Sequence, residues 1–287
     1  MTGTGGSAGV ADAIWREWMA GLLSTAAEHF GLACAGSPAW GWRDRSVGMP
    51  AAGADGPRWL RVVTEDIRRA HGDWWTGNSD SNVIHGIVKP TVLGTAEWEE
   101  GPRRIRAEVM TLIPGHPCSP TDILQLRGPD LPKRWWLELR RSLEAVAATP
   151  TRRECVSSDQ LADRLNRFGV KTELGTVRWE TVHGDLHWAN LFQPQFAIID
   201  WEWWGRGPVG LDAATLYCYS LLMPATARQV HHTFRDVFSS PHGAIAQLYA
   251  CSRLLSRAER GDHPQLSPLL HHHADNLARQ FSATKPT

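Results

Sequence analysis

Two short apolar runs, Leu191-Phe192 and Ala197-Ile198-Ile199, flank Gln193-Pro194-Gln195. Runs of that length around a proline-containing turn predict two antiparallel strands. Such a hairpin constrains more than its own strands. It brings the residue before the first strand against the residue after the second, and those are Asn190 and Asp200. Asp185 lies just upstream, in the stretch Val182-His183-Gly184-Asp185-Leu186-His187-Trp188-Ala189-Asn190. An amide and two carboxylates are therefore expected around the open end of one hairpin.

Two hard oxygen donors suit Mg²⁺, which takes few protein ligands and shares phosphate oxygens. A further carboxylate facing the same point can orient an attacking hydroxyl. That trio meets the needs of phosphoryl transfer. Asp185 reads as the catalytic base, and Asn190 and Asp200 as the metal ligands. A competing reading uses the alternation His183-x-Asp185-x-His187, which can mark a metallohydrolase. Its support is thin, because His271-His272-His273 are consecutive and point in different directions on a helix.

His183-Gly184-Asp185 with Asn190, then Ile199-Asp200-Trp201, resembles the catalytic loop and metal-binding aspartate of the aminoglycoside phosphotransferase and choline kinase family. These are small-molecule kinases with a protein-kinase-like fold. Gly207-Pro208-Val209-Gly210-Leu211-Asp212-Ala213-Ala214 is similar to the family's Gly-Asp-Pro-x-x-Asp-Leu-Ala segment, with Gly207 where an acid is usual and Ala213 where leucine is usual. The strong match spans residues 181–216. The resemblance implies a structural His183 that packs and hydrogen-bonds the loop. It also implies an Asp212 that braces the catalytic loop, and His187 at a variable position facing solvent or substrate. Glu202, beside Trp201, Trp203 and Trp204, reads as a metal, water or substrate contact, or as half of a structural salt bridge.

The chain has 287 residues, enough for one large domain or two lobes. Lys+Arg and Asp+Glu are 30 each, so no net field draws the protein to nucleic acid or an anionic membrane. Five scattered cysteines without a Cys-x-x-Cys favour reduced thiols and a cytoplasmic setting. The Gly/Ser/Ala-rich start lacks a basic region with an apolar core, and no apolar run approaches the ~20 residues of a membrane span.

The layout predicts an α+β, bilobal kinase-like fold: a small strand-rich lobe over 1–113 and a helical lobe over 114–287. Residues 1–10 are expected as a flexible tail. A helix over 11–30 turns Ile14, Trp18, Leu22 and Leu23 to one side. Strands are expected at Trp59–Val63, Lys89–Leu93 and Arg106–Ile113, and a helix at 76–87. The lobes are joined by a crossing segment near Met110–Gly115, where Met110 is expected to face the nucleotide. Helices follow at Leu131–Ala148, 157–168, 225–238, 241–258 and 266–282. Asp212 reads as N-cap of a helix Ala213–Met223.

The family usually sets a lysine on a small-lobe strand against a helix glutamate. Here that strand offers Arg61, with Asp80 as the acid to hand and Lys89 as the alternative cation. Gly36-Ser37-Pro38-Ala39-Trp40-Gly41 is the candidate phosphate-covering loop. No Gly-x-x-x-x-Gly-Lys-Ser/Thr motif occurs, which excludes a Walker-type site. The expected reaction moves the γ-phosphate of ATP or GTP, with Mg²⁺, to a hydroxyl-bearing small molecule, with antibiotic modification one outlet. A catalytically weak nucleotide-binding pseudokinase is the second reading. Residues 224–287 hold Asp236, Glu259, Asp262 and Asp275 against seven Arg/Lys, which is no acidic trap for a polycation. A neutral or modestly charged acceptor fits better: a nucleoside antibiotic, a sugar or an amino alcohol.

Overall fold

The computed structural model describes residues 5–124, 128–171 and 174–283. The chain divides into two compact units, Met1–Asn82 with Pro90–Pro114, and Val83–Lys89 with Gly115–Thr287. The first is strand-rich and the second mostly helical, so the α+β plan expected from the sequence is the plan found.

The first unit opens with helix α1 (Gly5–Phe30), followed by β1 (Ala33–Cys34), β2 (Ala39–Trp40), β3 (Ser46–Gly53), β4 (Gly56–Asp66), α2 (Asp73–Asp80), β5 (Val92–Glu100) and β6 (Arg103–Thr111). The strands form one antiparallel sheet in the order β1-β3-β4-β6-β5, with β2 also on β3. Side chains alternate across a strand. Leu60 and Val62 of β4 and Ile105, Ala107 and Val109 of β6 therefore share one face. They pack against Met19, Leu22, Leu23, Ala26 and Ala27 of α1.

The opposite face carries Arg61 on β4 and Arg106 and Glu108 on β6. Arg61 and Glu108 are direct cross-strand partners, and Arg61 Nη1 donates to Glu108 Oε2 at 3.2 Å. Arg106 Nε reaches the other oxygen at 3.0 Å, and Asn78 Nδ2 of α2 donates to Oε2 at 2.9 Å. Asp80 accepts from Thr76 Oγ1 at 2.6 Å. The acid seen on Arg61 is thus Glu108, from the neighbouring strand, which was not among the sequence candidates.

Several boundaries differ from expectation. Residues 5–10 are the first turns of α1 rather than tail; residues 1–4 lie outside the described residues. Ile14 is 62% exposed, because the buried stripe of α1 runs through Met19, Leu22, Leu23 and Ala26. Strand β3 was hidden by its Gly48 and Pro50. Pro50 lacks a donor, yet its carbonyl accepts from Ala35 N at 2.9 Å. Helix α2 stops at Asp80, and Asn82 clamps the Val92 backbone through both amide atoms, at 2.8 and 3.0 Å. That clamp starts β5 at Val92.

The second unit contains β7 (His116–Pro117), α3 (Lys133–Ala147), α4 (Ser158–Asn166), β8 (Trp179–Val182), β9 (Phe192–Gln193), β10 (Gly205–Pro208), α5 (Leu211–Tyr219), α6 (Pro224–Thr233), α7 (Arg235–Phe238), α8 (Pro241–Ala258) and α9 (Ser267–Ala283). A capping box between Ser157 and Gln160 starts α4. Helix α8 packs against α4, α5, α7 and α9. Among the described residues, no helix is long and apolar enough to cross a membrane.

Candidate active site

Strands β8 and β10 pair antiparallel, with Val182 opposite Gly205. The segment leaving β8 and the segment entering β10 therefore meet at one end of the pair. The first is the loop His183–Asn190 and the second is Asp200–Trp204. They approach so closely at Gly184 that a Cβ there would lie 2.6 Å from the Trp203 carbonyl oxygen and 2.5 Å from Cys155 Sγ. Gly184 also has φ +82°, where side chains are strained. The glycine in His-Gly-Asp is required on both counts.

Asp212 holds the start of the loop. Its two carboxylate oxygens accept from His183 N at 2.7 Å and Gly184 N at 2.9 Å. Burial pushes its carboxyl up to about 7, against the pull of the two amide donors. Asp212 does not cap a helix from outside. Helix α5 starts one residue earlier, at Leu211, with Gly210 in the left-handed region as N-cap. The Asp212 side chain is turned back onto the loop instead.

His183 is fully buried. Its Nε2 donates to Ile199 O at 2.9 Å, and its Nδ1 accepts from Asp185 N at 3.3 Å. Burial lowers its pKa to about 4, so the ring is neutral. Both nitrogens are occupied, which removes His183 as a metal ligand. Its ring also meets Trp201 edge-on at 4.6 Å. The loop is thereby tied to the strand end that carries Asp200.

Residues 197–199 turn back on Leu191-Phe192 as expected, but through one bridge rather than two full strands, since β9 takes β7 as its strand partner. Phe192 N donates to Ala197 O and Ile199 N to Asn190 O, each at 3.0 Å, and Leu191 pairs with Ile198. Asn190 and Asp200 thus stand at the open end of this turn. Asn190 is buried, and its Nδ2 donates to Asp185 O at 3.0 Å and faces His187 Nε2 at 3.2 Å. The amide nitrogen is committed inward, which leaves Oδ1 as the donor atom for a cation. Asp200 is exposed, with φ +65°, a conformation that aspartate tolerates better than most residues. A carboxylate and an amide oxygen are the hard donor set that Mg²⁺ prefers. Among the described residues, no group of three or more His, Cys, Asp and Glu side chains is arranged to hold a metal.

Asp185 meets a residue that sequence reading missed. Arg253 of α8 donates Nη2 to Asp185 Oδ1 and Nη1 to Gly184 O, each at 2.5 Å. Burial works against the Asp185 carboxylate, but Arg253, His187 and Arg257 outweigh it and hold the carboxyl well below its usual range. The other oxygen, Oδ2, is 3.6 Å from His187 Nε2. Burial disfavours a charged His187, while Asp185, Asp122 and Asp200 raise its pKa above the ordinary value. Its Nδ1 is buried without a hydrogen-bond partner among the described residues.

A second ion-pair cluster adjoins the first. Arg257, one turn beyond Arg253, donates to Asp122 Oδ2 at 2.9 Å and to the Tyr219 hydroxyl at 2.6 Å, and lies 3.4 Å from Asp262. His263 Nε2 is 3.5 Å from the same Asp122 oxygen. A signal for both arginines was present. They sit four apart on α8, and Arg253 interrupts an apolar run of Ala250, Cys251, Leu254 and Leu255, all buried.

Other sequence candidates lie as follows. Glu202 is buried, and its carbonyl accepts from Arg153 Nη2 at 3.3 Å. Lys89 belongs to the helical unit, with Nζ 5.8 Å from the ring centre of Trp201. Burial lowers its pKa to about 8. Arg61 and Met110 belong to the strand-rich unit, where Met110 is buried on β6 opposite Trp59 and Val92. Gly36–Gly41 lies between β1 and β3, with Ala39 and Trp40 paired to Gly48 and Val47.

No family model and no curated protein matches the sequence. Solved structures do share its fold. A thermostable mutant of the aminoglycoside phosphotransferase APH(4)-Ia, in ternary complex with AMP-PNP and hygromycin B, matches with TM-score 0.61 at 14% identity, over 91% of this chain and 99% of that one. The apo form of such a mutant gives 0.59 at 14% identity, over 90% and 98%. A putative fructosamine-3-kinase from Haemophilus somnus gives 0.50 at 9% identity, over 93% and 99%. The chain therefore has the fold of the protein-kinase-like small-molecule kinases, as the resemblance of residues 181–216 implied.

Proposed function

We propose that the protein is an O-phosphotransferase that moves the γ-phosphate of ATP or GTP to a hydroxyl of a small molecule. One observation carries the reading: Asp185, Asn190 and Asp200 gather around one hairpin end, with Asp185 ionised and held from behind by a cation. The AMP-PNP complex of a fold relative supports a nucleotide co-substrate.

In this reading Asp185 orients the acceptor hydroxyl and takes its proton. The hydroxyl oxygen forms a bond to the γ-phosphorus, the bond from that phosphorus to the bridging oxygen breaks, and the nucleoside diphosphate leaves with the electron pair. Asn190 Oδ1 and the Asp200 carboxylate are the residues that would hold Mg²⁺. When bound, the ion supplies charge neutralisation at the β- and γ-phosphates. Asp212 and His183 fix the loop, His187 lines the site beside Asp185, and Glu202 supports the segment after Asp200. Arg61 and Lys89 are the two cations proposed for the phosphates, and Met110 the nucleotide contact on β6.

The acceptor is a neutral or modestly charged hydroxyl compound. Asp185 is balanced by Arg253, and Asp122 and Asp262 are engaged by Arg257, with His263 beside Asp122. Asp122 and Asp262 thus have no uncompensated charge to offer a polycation. Antibiotics of low charge are within this class.

The test is a panel of hydroxyl compounds with Mg²⁺ and ATP or GTP, read by nucleotide consumption. Asp185→Ala is expected to lose ~10²–10⁴ in kcat, the usual share of a general base. A variant within about threefold of wild type would remove Asp185 from the chemistry, since that is far below a general base's share. Tight nucleotide binding with no turnover on any acceptor would favour a pseudokinase.

A further inference from the structure

The Arg253 fork grips one residue pair at two points. One arm takes the Gly184 carbonyl and the other takes Asp185 Oδ1. Both side chains are largely shielded, 24% and 20% exposed. Screening by solvent is correspondingly weak. The consequence is an asymmetric carboxylate, with Oδ1 held and Oδ2 facing His187 at a distance beyond hydrogen-bond length.

We propose that Arg253 is a positioning residue that immobilises Oδ1 of Asp185, so that Oδ2 is the oxygen that receives the acceptor's hydroxyl proton. The proposal rests on the phosphotransferase reading. An aspartate carboxyl turns over a broad, roughly two-fold torsion, so an unclamped Asp185 would sample many orientations. A planar guanidinium removes that freedom, because its two arms are fixed relative to each other. The Gly184 contact references the carboxylate to the backbone that Asp212 already holds. Hence the carboxylate direction is set by α8, and the loop position by α5. The other groups facing Asp185 are Arg257 on α8, Tyr219 on α5, Cys155 ahead of α4, and His183 and His187 on its own loop. Among the described residues, it is Arg253 that hydrogen-bonds the carboxylate.

The experiment compares Arg253→Ala and Arg253→Lys with wild type, using the acceptor that turns over fastest. Arg253→Ala is expected to lose roughly 10²-fold in kcat, the scale of a misplaced catalytic group, with nucleotide affinity retained. The acid limb of its kcat/KM profile is expected to move to higher pH. Added methylguanidinium is expected to restore part of the activity. Arg253→Lys is expected to recover little, because one point charge cannot span both acceptors. Wild-type kcat in Arg253→Ala, or full recovery in Arg253→Lys, overturns the proposal. Carboxyl ¹³C NMR, with Asp185→Asn identifying the resonance, reads the clamp without turnover. In Arg253→Lys, which keeps a cation if the alanine variant fails to fold, the Asp185 resonance is expected to titrate at higher pH than in wild type. An unchanged titration also overturns the proposal. A changed titration in Arg253→Lys, together with a wild-type protein that phosphorylates nothing, would instead overturn the phosphotransferase reading and leave only the contact of Arg253 with Asp185 standing.

Discussion

Gly184→Ala probes how the loop His183–Asn190 is held, and its cost can be worked from two distances. The new Cβ would lie 2.5 Å from Cys155 Sγ and 2.6 Å from the Trp203 carbonyl oxygen. These obstacles are unequal. A sulfur can rotate aside, but the carbonyl belongs to backbone that enters β10 and is paired to β8 two residues on. To reach ordinary van der Waals separation, the loop and the Asp200–Trp204 segment must part by roughly 0.8–1 Å. The left-handed φ of +82° adds about 1–2 kcal/mol for any residue with a Cβ. Overpacking adds about 1–3 kcal/mol. The total is about 2–5 kcal/mol, which for a chain of this size lowers Tm by roughly 4–10 °C. A displacement of that size at Asp185 is expected to reduce kcat by about 10–100-fold, since misplacement near 1 Å costs on the order of 100-fold. Calorimetry and steady-state kinetics measure the two effects. Gly184→Ala combined with Cys155→Ala separates the obstacles: it is expected to recover little of either loss. A single variant that melts and turns over like wild type would refute the close-approach argument. Full recovery in the double variant would shift the blame to the sulfur.

Three further variants test the cations. Lys89 has its pKa lowered by burial to about 8, below the usual lysine value of 10.5. Between those pH values the unfolded chain holds a proton that the folded chain has released, so stability rises with pH across that window. Lys89→Met is therefore expected to melt higher than wild type at pH 7, with the gap closing by pH 10; a constant gap would contradict the burial argument. In the strand-rich unit, Glu108→Ala removes the acid shared by half-buried Arg61 and buried Arg106, but Arg106 keeps Glu97 at 2.5 Å, so the loss is expected at about 1–3 kcal/mol. Arg61→Ala is expected to cost less, because Glu108 keeps Arg106 and Asn78. Thermal melts that reverse this order would show that Arg61 is the structural keystone of the cluster rather than a cation available to phosphate.

The legible parts of the fold are those set by short-range pattern. Alternation at Leu60 and Val62 and at Ile105, Ala107 and Val109 reports a sheet with one apolar face, and the helix pattern of α8 spans its whole length. The failures share a cause: tertiary contacts overrode local propensity. Strand β3 carries Gly48 and Pro50 and is a strand because β1 and β2 on one side and β4 on the other supply its partners. Asp212 has the composition of a cap, but its carboxylate finds two amide donors 28 and 29 residues earlier in the chain. Local spacing around Asp212 does not contain that contact; the resemblance of residues 207–214 to the family segment is what implied a brace on the loop.

The same distinction divides the candidate site. The hairpin that joins Asn190 to Asp200 spans eleven residues, and its geometry follows from two apolar runs and a turn. The electrostatic setting of Asp185 does not, because Arg253 is 68 residues away and reaches it only through the packing of α8 against α5. That separation bears on substrate choice. Charge counting over residues 224–287 argues against a polycationic acceptor. Locally, Arg253 and Arg257 engage the carboxylates of Asp185, Asp122 and Asp262. A cationic acceptor would have to displace a shielded guanidinium from its acid, breaking a charge-assisted hydrogen bond in partly buried surroundings. A neutral hydroxyl needs only the lone pairs of Asp185 Oδ2. If the protein is the phosphotransferase proposed above, the ion pairs that orient Asp185 favour acceptors of low charge, and Arg253→Ala is expected to relax that preference and slow turnover together.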